Sequence, residues 1–156
     1  MATYSVSVNN AVTYRLYETM RAQTCSVSVY AGVTQPTAAE IAADWPSYRS
    51  TTANFLVHYA NQVSWSVNSL TYYFTNTSNT ISANPLRAGT ATWAIIWFGN
   101  VTDVQAAATS LPMSNFIVVP VSDTAGTGVI RYTDTALVTG GPARPYDGGA
   151  TIVLSV

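Results

Sequence analysis

Ser26-Val27-Ser28-Val29-Tyr30 alternates a small hydroxyl with a β-branched side chain, and this period of two decides the fold. Side chains at every second position share one face of a strand, whereas a helix would return its apolar residues three and four positions apart. The same alternation recurs at Ser5-Val6-Ser7-Val8 and at Val63-Ser64-Trp65-Ser66-Val67. Such runs read as half-exposed antiparallel strands, with valines inward and small hydroxyls toward water.

Further strand candidates are rich in β-branched and aromatic residues. They are Asn54 to Tyr59, Leu70 to Phe74, Phe116 to Val119, Val129 to Tyr132 and Thr151 to Leu154. Thr92 to Phe98 has no polar face and reads as a central strand, with Trp93 and Trp97 on the same side. Turn residues fall between the runs, at Asn9-Asn10, Asn76 to Asn79, Asn84-Pro85, Gly99-Asn100, Asp123 to Gly128, Gly140-Gly141-Pro142 and Asp147-Gly148-Gly149. One short helix interrupts the pattern near 37–44, where Thr37-Ala38-Ala39-Glu40 is a capping box and Trp45-Pro46 ends the run. Thr102 to Ser110 fits a helical turn or a loop equally. The expectation is a single all-β domain over residues 1–156, an antiparallel sandwich or jelly-roll-like fold, with residues 1–20 as an amino-terminal arm or two strands.

Composition narrows the function. Only 8% of the 156 residues are charged, and all six basic residues are arginines. Ordinary soluble domains carry about 25% charged residues, with lysine among the commonest. Interfaces enrich arginine and deplete lysine, glutamate and aspartate, so this surface reads as one meant to be covered. The net charge of −1, with arginines scattered along the chain, supplies no basic stripe for nucleic acid. The amino terminus lacks a charged region followed by an apolar one, and the longest apolar run, Trp93 to Phe98, is too short to cross a membrane. A chain made in a cytoplasm, soluble until it meets its partners, is the expectation. Cys25 is the sole cysteine and cannot form an intramolecular disulfide.

Residues that could carry chemistry are few. His58 is the single histidine, so any Ser-His-Asp arrangement would have to use it, yet no Gly-x-Ser-x-Gly turn is present. One histidine and one cysteine cannot supply a typical zinc set. Asp123, Asp134 and Asp147 sit at turns without a dense calcium loop around them, so they read as turn caps, with calcium as the alternative. Gly126-Thr127-Gly128 lacks the third glycine of a dinucleotide fingerprint, since position 131 is arginine. No catalytic residue, cofactor or metal is therefore expected. The aromatic residues remain, as core or as contact surface. Trp45 and Tyr48 flank Pro46 beside Arg49 in a segment read as a loop, a candidate exposed contact with core packing as its rival. Arg15, Tyr17 and Arg21 form a second candidate interface group near the amino terminus.

Two motifs resemble known proteins. Val27-Ser28-Val29-Tyr30-Ala31-Gly32-Val33-Thr34-Gln35-Pro36-Thr37-Ala38-Ala39 resembles the strand, Gly-x-x-Gln-Pro turn and Ala-rich segment of small virion proteins of tailed bacteriophages. Gly89-Thr90-Ala91-Thr92-Trp93-Ala94-Ile95-Ile96 is similar to a strand later in the same proteins, and Asp134 to Val138 with Gly148 to Val156 resembles their final two strands, joined by a turn. The resemblance implies a β-rich structural protein of a phage particle with no enzymatic residues to transfer. A capsid decoration (cement) protein is the expectation: a homo-oligomer, with a trimer favoured, on the major capsid protein or other virion proteins. A tail, neck or fibre-associated component is the alternative, and a carbohydrate- or surface-binding β module the competing class. The long aromatic stretch Trp45 to Phe74 and the link Gly99 to Asn115 depart from the family pattern.

Overall fold

The computed structural model describes residues 2–7, 25–68, 71–75, 82–97, 116–126, 128–145 and 150–155. The strands are β1 (Ala2–Ser7), β2 (Cys25–Ala31), β3 (Phe55–Asn68), β4 (Thr71–Thr75), β5 (Gly89–Trp97), β6 (Phe116–Asp123), β7 (Ile130–Tyr132), β8 (Ala136–Leu137) and β9 (Ala150–Ser155). They form one curled sheet in the order β1-β9-β4-β3-β2-β5-β6-β7, with β8 added beside β5. The fold is all-β, and the one α-helix among the described residues, α1 (Ala38–Ala43), lies where the capping box predicts it. The Thr37 side chain accepts the Glu40 N–H at 3.2 Å while the Glu40 carboxylate accepts the Thr37 N–H at 2.7 Å. These hydrogen bonds to Thr37, backbone first and side chain second, hold the Glu40 carboxyl below the usual range.

The centre of the sheet, from β4 through β6, is antiparallel, as the alternation predicts. Its margins are not: β1 runs parallel to β9, and β7 runs parallel to β6. Parallel neighbours ordinarily need a connection of a dozen residues or more. The link between β6 and β7 is shorter than that, and its described residues bond back to the end of β6. Asp123 Oδ1 accepts the N–H groups of Ala125 and Gly126, Ser122 Oγ accepts that of Gly128, and Arg131 donates to the Thr124 carbonyl. A Cβ on Gly128 would lie 2.5 Å from the Ser122 backbone nitrogen, so a side chain there has no room. β8 and β9 are not paired with each other; β8 joins β5, and β9 lies between β4 and β1.

Register explains the core. Tyr59, Val27, Ile96 and Ile117 line up across four strands, as do Val57, Val29, Ala94 and Val119, on one face of the sheet. On the opposite face Tyr30 lies beside Trp93, Ser28 beside Ile95, and Ser26 beside Trp97, which in turn lies beside Phe116. Both faces are buried. The second is roofed by α1 and the 3-10 turn Trp45–Tyr48, which bring Ile41 and Trp45 onto it. The expectation that the serines of β2 face water is therefore corrected: Ser26 and Ser28 are fully buried. Alternation identifies which residues share a face, but the roof supplied by residues 38–48 decides that this face is interior.

Candidate functional site

Each expected site residue has a definite place or lies outside the described residues. Arg15, Tyr17 and Arg21 lie outside them, as does the whole span 8–24. Trp45 is not an exposed contact: it is buried, with its ring edge-on to Trp97 at 5.3 Å and 87°. Its segment is a 3-10 turn rather than a loop, and Pro46 at the start of that turn drives the indole inward. Tyr48 is half-buried, edge-on to Trp93 at 6.0 Å, and its carbonyl accepts the Tyr30 hydroxyl at 2.7 Å. Arg49 is also half-buried, and its carbonyl accepts the Thr52 N–H at 2.9 Å. Trp93 and Trp97 are core residues on one face, as their shared parity predicts. With Trp45, Trp93 and Trp97 all buried, none of the three is a platform for a sugar ring.

His58 meets a serine, but not in a reactive arrangement. Its Nδ1 lies 2.8 Å from Ser28 Oγ, and the same oxygen accepts the Trp97 indole N–H at 2.9 Å. Ser28 has no exposed surface, and its hydroxyl joins β2, β3 and β5 within the fold. Asp123 and Asp134 cap turns: the first holds the 124–129 loop, and the second accepts the Ala136 N–H at 2.8 Å. Asp147 lies outside the described residues.

The arginines divide by task. Arg87 donates to the carbonyls of Ser50 at 2.8 Å, Phe55 at 3.2 Å and Thr51 at 3.3 Å, so its fork staples the turn that leads into β3. Arg131 staples the 124–129 loop. These two guanidinium groups tie segments of the chain to each other. Arg144 differs: it is exposed, and among the described residues no group pairs with it.

Arg144 stands at the mouth of a cleft of about 290 Å³. Tyr132, Pro85, Pro142 and Val138 line it, with Asp134 as a second charged group. Its floor is fixed. Tyr59 donates to the Ala143 carbonyl at 3.2 Å, so the 2.8 Å contact between the Tyr59 and Tyr132 hydroxyls uses the Tyr132 proton. Burial pushes both phenols well above their ordinary pKa. Ala143 and Ala83 exchange both backbone hydrogen bonds, at 2.8 and 3.3 Å, and tie the wall in place. Gly140, next to the lining residue Gly141, has a φ of 93°, which side-chain-bearing residues rarely adopt.

This cleft lies at the end of the sheet where β2 leaves and β5 enters, fixed there by Ala31 beside Ala91 and Gly89 beside Leu137. Three large aliphatic residues are exposed among those described: Val33, which follows β2, Leu86, which precedes β5, and Val138, which follows β8. Val138 lines the cleft, Leu86 follows its lining residue Pro85, and Val33 lies beyond the end of β2. Sequence reading placed interfaces elsewhere, because residues 33, 86 and 138 are far apart along the chain. The available signal was a valine and an arginine flanking Gly140-Gly141-Pro142, a turn that must be exposed. The arrangement suits contact with apolar protein surface bounded by charge pairing. Comparison with protein-family models, with curated proteins and with solved structures finds no match for this chain.

Proposed function

We propose that this chain is a structural protein of a tailed-phage particle, a capsid decoration (cement) protein that acts by contact with copies of itself and with the major capsid protein. The observation that carries the reading is the composition: 8% charged residues and basic side chains that are arginine throughout. Such a surface is poorly hydrated and weakly self-repelling, which suits a protein that functions when covered. The phage-like motifs at 27–39 and 89–96 support a place in the particle, and a trimer at three-fold positions is the assembly that a decoration protein of this kind often takes. A tail, neck or fibre position is the variant of the same reading.

A cement protein binds the assembled shell and not its separated subunits, so it shifts the equilibrium toward the shell. At a free concentration of about 100 times Kd, each site contributes roughly 2.7 kcal/mol. Purified chain should therefore co-sediment with assembled shells lacking it, ignore dissociated capsid protein, and raise the temperature at which shells come apart. Failure to bind shells, or equal binding to shells and free subunits, would remove the decoration role.

A further inference from the structure

We propose that the sheet end bearing the 290 Å³ cleft is a contact surface between copies of this chain, closed by Arg144 of one copy on Asp134 of the next. The inference deepens the assembly reading and rests on it only in taking another copy as the partner.

Solitary exposed aliphatic residues are normal on any protein, whereas their concentration marks a contact surface. Val138, 63% exposed, lines the cleft, and Leu86, 61% exposed, follows the lining residue Pro85. Pro85, Pro142 and the fixed Tyr132 floor continue the apolar character into the cleft. Because that floor is tied by the Tyr59–Tyr132–Ala143 bonds and by the Ala83–Ala143 pair, it is already shaped before a partner arrives. A preformed surface avoids much of the ordering cost of association.

The charges identify the partner. One cleft holds one carboxylate and one guanidinium. An acidic partner or a basic partner would match one of these and be repelled by the other. A copy of the same surface carries both, so Arg144 of each copy can meet Asp134 of the next around a closed ring. Asp134 is already oriented, since its Oδ1 accepts the Ala136 N–H and its Oδ2 has no partner among the described residues. Arg144 has a planar fork suited to that carboxylate. Its pairing would be shielded by the aliphatic side chains rather than left in open water.

Sedimentation equilibrium of the purified chain, over roughly 1 to 100 µM, tests this directly, since micromolar Kd values fall in that window. The parent should self-associate. Arg144→Glu and Val138→Glu should each raise Kd about tenfold or more, which corresponds to about 1.4 kcal/mol. Asp134→Asn keeps the acceptor for Ala136 and removes the charge, so it should weaken association without lowering the melting temperature. Ala39→Glu, on the exposed side of α1, is the control and should change nothing. A parent that stays monomeric throughout, or variants that associate as the parent does, would overturn the proposal. A monomer whose melting temperature falls in Val138→Glu would assign this surface to another segment of the same chain, and would also overturn it. Particle incorporation is read separately: a chain that associates through this end but enters no particle leaves this contact standing and removes the phage reading.

Discussion

Replacing Ser28 by alanine removes one buried oxygen and strands a buried donor. The Trp97 indole N–H now ends on Ser28 Oγ at 2.9 Å, and His58 Nδ1 meets that oxygen at 2.8 Å. Ser28 has no exposed surface and Trp97 is 3% exposed, so water cannot replace the lost acceptor without opening the roof formed by Ile41 and Trp45. Leaving a buried polar group unsatisfied costs about 1–3 kcal/mol. His58 is half-buried and can recover its bond from water, so the indole sets the magnitude, and the expected loss is about 2 kcal/mol. At about 2–4 °C per kcal/mol for a chain of this size, the melting temperature should fall by roughly 4–8 °C. Urea unfolding followed by circular dichroism measures the same loss, with the denaturant slope unchanged. The control is Trp97→Phe, which deletes the donor. In that background Ser28→Ala should cost well under about 1 kcal/mol, a coupling of about 1 kcal/mol or more between the two sites. Surface substitutions usually fall within about 0.5 kcal/mol of the parent. A Ser28→Ala variant in that range, or one equally costly in both backgrounds, would refute the assignment of the β2 serines to the interior.

Three further outcomes follow from the same packing. Gly128→Ala places a Cβ 2.5 Å from the Ser122 nitrogen and 2.7 Å from the Val121 carbonyl carbon, whereas Gly141→Ala meets nothing within 4 Å. The first should cost about 2 kcal/mol or more by thermal unfolding and the second should be close to neutral, as overpacking against backbone requires. Arg87→Lys keeps the charge but loses the fork that holds three carbonyls, so it should cost about 1–2 kcal/mol and speed proteolysis within residues 49–55. Burial raises the pKa of Tyr30, Tyr59 and Tyr132 above the ordinary value of 10.0. The folded chain therefore holds protons that the unfolded chain releases in base. Their contribution is complete below pH 10.0 and is lost as pH rises past it, by roughly 1.4 kcal/mol per pH unit for each phenol still protonated in the folded state. Urea midpoints that stay level from pH 9 to 11 would contradict the burial of these hydroxyls.

The fold was legible where local chemistry decides it. Period-two alternation located β2 and the later half of β3, β-branched and aromatic richness located the first half of β3 and β6, and the Thr37–Glu40 box located α1. The all-apolar run at 93–97 marked the strand that is buried on both faces. Long-range packing was not legible. Nothing local in Ser26-Val27-Ser28-Val29 reveals that residues 38–48 fold back over the serines, or that Trp97 supplies a donor for one of them. Trp45 was misplaced for the same reason, since its burial depends on a strand about fifty residues away. The parallel β6–β7 pair depends on a loop whose glycines also resemble a phosphate-binding fragment; their use is close approach to Ser122. The cleft is the most non-local feature. The β5–β8 pairing and the Ala83–Ala143 bridge bring together residues that the sequence separates by about fifty positions.

The central proposal is that this chain belongs to a tailed-phage particle, and quantitative mass spectrometry of phage particles purified from cells that express the chain tests that most directly. The account predicts the chain in the particle at a fixed ratio to the major capsid protein, in hundreds of copies if it decorates the shell. Six or twelve copies would move it to the neck or tail. Particles free of the chain, with the protein recovered only from the soluble fraction of infected cells, would contradict the claim.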